Sequence, residues 1–223
     1  MKTIGIIGGI GPETTVVYYR LLIAAGHTRV IINSVRSGAL VPLVLQQDGA
    51  AVVDFLSADI ERLALAGADI GLLAANTPHM WFAEIQGRSR IPLVSIVEAT
   101  AAHVAARRLR RVALFGTRVT VEARFYPDAL QRHGIETVLP NDEERTYIHD
   151  RYMGELFAGD IKPETRRGLL AIVDAMVARE AIDGVILGGT ELSLILTDDE
   201  HDGVPLIDTT RVHVDAVLAR VRV

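Results

Sequence analysis

The sequence predicts an α/β fold of two similar lobes, each built on a mainly parallel sheet, with a cleft between them. Three observations lead there. Short apolar runs rich in Val, Ile and Leu alternate with helical patterns along the chain, as parallel strands buried on both faces and their crossover helices do. A strand, a small-residue turn and a polar helix start occur as "IGLLAANTPHM" (70–80) and again as "GVILGGTELSLI" (184–195). A second pair, "IGIIGGIGPETT" and "RVALFGTRVTVEARFY", echoes in the same way. Gly8 and Gly116 stand 108 positions apart, and Ala75 and Gly189 stand 114 apart. The halves thus repeat at roughly a hundred residues, and a pseudo-twofold relation is expected.

Taken in order, the apolar runs place strands at 3–8, 30–33, 70–74, 93–95, 111–115, 136–138, 185–187 and 206–207. Helical patterns cover 13–25, 51–66, 99–108, 121–133, 143–158, 163–180 and 209–220. Pro12 followed by Glu13, and "GDIKPET" at 159–165, have the composition of a helix first turn. "DDEHDG" (198–203) reads as a solvated charged loop. The lobes are expected at 1–98 with 209–223, and at 99–208.

Composition bounds the function. Of 223 residues, 49% are hydrophobic and 23% charged, which suits a protein with a full core. A net charge of -5 argues against nucleic acid and anionic membranes as partners. The one basic cluster, "RRLRR" (107–111), reads as cations at a helix C-terminus. No apolar stretch approaches the ~20 residues of a membrane span. The glycine-interrupted N-terminus lacks a small-x-small cleavage site, so no signal peptide is expected and the cytoplasm is the default location. The absence of cysteine excludes disulfides and thiolate chemistry.

Motifs narrow the chemistry. After Gly9 and Gly11 comes Thr14, so G-x-G-x-x-G is not met, and no P-loop is present. The seven histidines show no H-x-x-x-H pairing, so no metal is expected. The strand ends instead carry neutral donors: Thr14, Asn76, Thr77, Thr117, Thr120 and Thr190. With exposed backbone N–H groups at helix starts, such a set suits a small carboxylate. Each residue is also a natural helix cap; the repetition in both halves favours a site. Glu191 is the one acidic group adjacent to either turn, and His79 opens the helix after the first.

"MKTIGIIGGIGPETTVVYYRLL", "ANTPHM", "VALFGTRVTVEARFY", "GDIKPETRRGLL" and "VILGGTELSLI" together resemble the aspartate/glutamate racemase superfamily. Within it the sequence is most similar to aspartate racemases and broad-specificity amino-acid racemases. The resemblance implies two Rossmann-like lobes, a site between them, no pyridoxal phosphate or other cofactor, and commonly a homodimer. It implies two cysteines flanking the substrate α-carbon, one before Asn-Thr and one before Thr-Glu; here Ala75 and Gly189 stand in those places. Carboxylate binding would carry over to Thr14, Asn76, Thr77, Thr117, Thr120 and Thr190, with Lys162 and Arg36 as candidates for a second carboxylate. The expectation is a small-carboxylate or amino-acid binder, acting as a cofactor-independent isomerase or lyase with altered acid–base groups. Glu191, His79, Glu13 and Tyr19 are the candidates, in that order. A carboxylate-binding protein without turnover, or a partner subunit of an active racemase, is the alternative.

Overall fold

The structure, a computed structural model, describes residues 1–222. Val223, which the sequence reading placed at the end of the first lobe, lies outside the described residues. The chain divides into two compact units, Met1–Ala99 with the segment from His213, and Thr100–Val212.

The first unit contains β1 (Ile4–Gly8), α1 (Pro12–Ala24), β2 (Val30–Ser34), α2 (Ser37–Leu45), α3 (Gly49–Leu65), β3 (Ile70–Leu73), a 3₁₀ turn at Thr77–Trp81, α4 (Phe82–Arg88) and β4 (Leu93–Val94). Helix α5 (Ile96–Ala106) begins in this unit and passes into the second. Its sheet is wholly parallel, in the order β2-β1-β3-β4. Alternate strand residues face opposite sides. Ile4, Ile6 and Leu72 pack with Tyr18 and Leu22 of α1, whereas Ile7 and Leu73 pack with Val52, Leu56 and Ile60 of α3. Asp48 caps α3 by accepting from Ala51 N–H at 3.1 Å.

The second unit contains β5 (Arg111–Phe115), α6 (Arg118–Glu122), α7 (Phe125–Gln131), β6 (Glu136–Val138), α8 (Asp142–Gly154), α9 (Pro163–Glu180), β7 (Gly184–Leu187), α10 (Leu192–Ile195), β8 (Glu200–His201) and β9 (Val204–Asp208). Helix α11 (Thr209–Val221) returns the chain to the first unit. Its sheet order is β6-β5-β7-β9-β8, parallel except for β8. In both units the first strand lies between the second and the third, so the halves share one topology.

Three sequence expectations need correction. The helix expected at 121–133 is two helices, because Pro127 has no N–H for the Ala123 carbonyl and its ring would crowd that carbonyl. The helix expected at 143–158 ends at Gly154, and Leu156–Ala158 form a separate 3₁₀ turn. "DDEHDG" is not all loop: Glu200–His201 pair antiparallel with Val204–Pro205. Asp202 and Gly203, both at positive φ, make the two-residue turn, the Asp-Gly hairpin signal. Helix α2 went unread because Pro42 sits inside it. Among the described residues no helix is long and apolar enough to cross a membrane.

Two buried histidines brace the first unit. His213 of α11 donates from Nε2 to the Val94 carbonyl (2.8 Å) and accepts at Nδ1 from the Tyr18 hydroxyl (2.8 Å). His79 donates from Nδ1 to the Ala75 carbonyl (2.9 Å) and accepts at Nε2 from Ile96 N–H (3.2 Å). Each bonding pattern allows one neutral tautomer. Burial, with the neighbouring His213, lowers the pKa of His79 from 6.5 to about 3; burial lowers that of His213 to about 4. The unfolded chain therefore binds protons more readily, and stability is complete above pH 6.5 and lost as the pH falls towards 4 and then 3. Each ring is expected to contribute a slope of roughly 1.4 kcal/mol per pH unit in that window. Urea unfolding followed by Trp81, the single tryptophan, reads this; stability that stays flat from neutral to about pH 4.5 would contradict it.

Candidate functional site

In open parallel sheets, ligands bind outside the strand carboxyl ends where the connections diverge to opposite sides. Each unit has such a point, between β1 and β3 and between β5 and β7.

At the first, β1 and β3 run in register from Ile4↔Ile70 to Ile7↔Leu73, and Ala74 N–H reaches the Ile7 carbonyl at 2.9 Å. The glycines after β1 are required. A side chain on Gly8 would overlap Thr15, and Gly9 has φ +83° with the Val35 carbonyl 2.8 Å from where its Cβ would lie. Thr15, which the sequence reading passed over, organises this turn: its Oγ1 accepts from Gly9 N–H at 2.8 Å and donates to the Gly11 carbonyl at 3.3 Å. Thr14, next to it in the chain, and Asn76, after β3, are buried, and Thr77 is half-buried. Ala75 is buried and offers only a methyl group; its carbonyl is taken by His79. Because both nitrogens of His79 are bonded to main chain, its ring ties the turn after β3 to the start of α5.

At the second point, Gly188 N–H donates to the Phe115 carbonyl at 2.7 Å. A Cβ on Gly188 would lie 2.8 Å from that carbonyl, so glycine permits the approach. Thr117 caps α6, its hydroxyl 3.1 Å from the Thr120 hydroxyl and accepting from Thr120 N–H at 3.4 Å. Gly189 follows β7 by two residues, as Ala75 follows β3. The place of its missing side chain is filled: an ideal Cβ on Gly189 would lie 2.9 Å from both Cζ and the hydroxyl oxygen of Tyr152.

Tyr152 is the residue the sequence reading missed. It lies in α8, whose Asn141–Glu144 capping box is complete (Glu144 N–H to Asn141 Oδ1 2.9 Å; Asn141 N–H to Glu144 Oε2 2.8 Å). One turn after Ile148, it packs into the core formed by Phe115, Leu187 and Leu192. Its hydroxyl donates to Glu191 Oε2, which also accepts from Thr190 Oγ1 at 3.0 Å. Tyr152 and Glu191 are only 6% and 4% exposed. Burial first, then the charge of Glu191, hold the phenol well above its ordinary pKa of 10, so it stays protonated. The signal that could have found it is negative: a glycine in place of a larger residue requires a bulky neighbour, but the sequence does not say which.

Lys162, just before α9, pairs with Asp160 (2.9 Å) and Glu155 (3.3 Å). Glu155 also accepts from Thr165 and Arg151, and these bonds, Thr165 first, lower its pKa to about 2. Arg36 precedes α2 and lines a pocket of about 560 Å³ with Asn33, Asp59 and Arg62. Glu13 and Tyr19 are exposed on α1. Asp174, His201 and Asp202 bring ligand atoms within 4.8 Å of one another, with both carboxylates exposed.

A family model for Asp/Glu/Hydantoin racemase matches residues 7–217. The chain belongs to that family. A solved aspartate racemase homologue from Pyrococcus horikoshii is 32% identical, with a TM-score of 0.84 and all of both chains covered. The broad-specificity amino-acid racemase RacX of Bacillus subtilis is 23% identical over 222 residues, covering 93% of this chain and 92% of its own. A glutamate racemase from Francisella tularensis, solved with D-glutamate, is 16% identical with a TM-score of 0.70, covering 99% of this chain and 81% of its own; it shows the shared fold. This member has a methyl group at 75 and a phenol packed over 189.

The contact at 189 makes a stability prediction. Gly189→Ala should destabilise the protein by about 1–3 kcal/mol through overpacking against Tyr152. In the Gly189→Ala/Tyr152→Leu double variant the two effects should be strongly non-additive, the added methyl occupying space that the ring vacates. Denaturant unfolding of the four proteins reads the coupling, and additive effects would show that the ring does not hold this space.

Proposed function

We propose that this racemase-family protein binds a small mono- or dicarboxylate, amino acids included, and acts on it without pyridoxal phosphate as an isomerase or lyase by one-sided proton transfer. The observation that carries the reading is the chemistry of the two equivalent turns. Both strand ends keep their neutral donors, Asn76 and Thr77 in one and Thr117, Thr120 and Thr190 in the other. Neither Ala75 nor Gly189 can accept or return a proton, and the chain has no cysteine. Inversion at carbon needs an acid and a base on opposite faces; a single competent group suits elimination, decarboxylation, cyclisation or a double-bond shift. The two inert turns favour binding without turnover as the second reading. A homodimer belongs to the same proposal, supported by Val16 and Tyr19 exposed together on α1; the solution mass reads it.

Racemisation of aspartate or glutamate should be slower than that of a two-thiol enzyme by on the order of 10⁴ to 10⁶, the usual loss when groups acting as a unit are removed. Chiral chromatography of each enantiomer after incubation reads this, and inversion at an ordinary enzymatic rate would refute it. Asn76→Ala should weaken carboxylate binding by roughly 1–3 kcal/mol, the penalty for an unpaired buried group. Thr117→Ala should weaken a carboxylate held at the ends of β5 and β7 to a similar degree. Calorimetry showing unchanged affinity in both variants would remove these strand ends from the site.

A further inference from the structure

We propose that Tyr152, hydrogen-bonded to Glu191, is the proton-transferring group of this protein, presented where a side chain at position 189 would project. The inference rests on the reading above that a carboxylate is held at the ends of β5 and β7.

Three observations carry it. Position 189 lies at the end of the third strand of its unit, and the atoms nearest its absent side chain are those of the Tyr152 ring and hydroxyl. The place of that side chain is thus taken by a phenol. Glu191 is the one ionisable residue of the segments 74–77 and 188–191. Its Oε2 accepts from Tyr152 and Thr190, so the phenol is in direct hydrogen-bond contact with the carboxylate. The competing candidate, His79, has both ring nitrogens bonded to main chain. The phenol is also well fixed, since α8 is capped and Tyr152 lies on its buried face one turn from Ile148.

The step balances within the pair. The Tyr152 oxygen takes a proton from the carbon beside the substrate carboxylate as it passes its own proton to Glu191. The C–H electron pair stays on the substrate and is delocalised into its carboxylate; Tyr152 ends neutral and Glu191 protonated. Return of the proton along the same path restores the starting hand.

The experiment is hydrogen exchange in D₂O, read by NMR, on both enantiomers of aspartate, glutamate and malate, with binding of each measured by calorimetry. The expected result is α-carbon exchange in one or more ligands that bind. Tyr152→Phe, which keeps the ring, should slow it about 100-fold or more while binding persists. Glu191→Gln, which can accept the phenol hydrogen bond but not the proton, should slow it likewise. Thermal melts of both variants establish that they fold. Exchange undiminished in Tyr152→Phe, or absent from the unmodified protein with a ligand that binds, would overturn the proposal. Failure of every carboxylate to bind would instead overturn the underlying carboxylate reading.

Discussion

Each unit depends on the pairing of its first strand with its third. Because β1 lies between β2 and β3, and β5 between β6 and β7, the connections leave these central pairs in opposite directions and open a crevice at their carboxyl ends. The pairing also sets what may stand there. Main chain approaches main chain closely, Gly188 N–H to the Phe115 carbonyl at 2.7 Å and Ala74 N–H to the Ile7 carbonyl at 2.9 Å, and any residue larger than glycine at 8, 9 or 188 would collide. The small-residue turns are thus a consequence of the sheet before they are a feature of the site.

The same packing constrains the chemistry. At Gly189 main-chain crowding is not the limit; Tyr152 is. The volume is filled from a different helix, α8, by a side chain whose hydroxyl would lie 2.9 Å from a Cβ at 189. Close-packed interiors do not leave such a space empty. Replacement of a side chain by glycine at this turn therefore has to be read together with whatever occupies the space, and here the occupant brings a donor of its own.

This explains how much the sequence disclosed. Alternating apolar runs placed the strands because buried parallel strands have no polar face to disguise them, and the two halves declared themselves through their paired turns. Helix α2 and the break between α6 and α7 were hidden or blurred by Pro42 and Pro127, whose effects depend on neighbours several residues away. The hairpin at Asp202–Gly203 carried a recognisable turn dipeptide, but its charged residues read as loop. The threonines and asparagine at the strand ends, and the small residues at 75 and 189, are local features that can be read directly from the sequence. Tyr152 could not be, since it belongs to no motif and matters only through a contact 37 positions along the chain with Gly189. The locked state of His79 was equally invisible, because its second partner, Ile96 N–H, comes from another element.

The buried pair finally couples three positions. A carboxyl group withdrawn from water is tolerated only when its oxygens are hydrogen-bonded, and Glu191 has Tyr152 and Thr190 as donors to Oε2. Tyr152 can reach it because position 189 has no side chain. A thiol placed at 189 would meet an aromatic ring, and removal of that ring would deprive Glu191 of a donor. Positions 152, 189 and 191 therefore change together or at a cost. The present arrangement is one self-consistent solution, in which the ring fills the place beside Gly189 and its hydroxyl satisfies the buried carboxylate. The equivalent turn in the other unit is built differently: Ala75 contributes a methyl group, and His79, four residues on, has both ring nitrogens bonded to main chain.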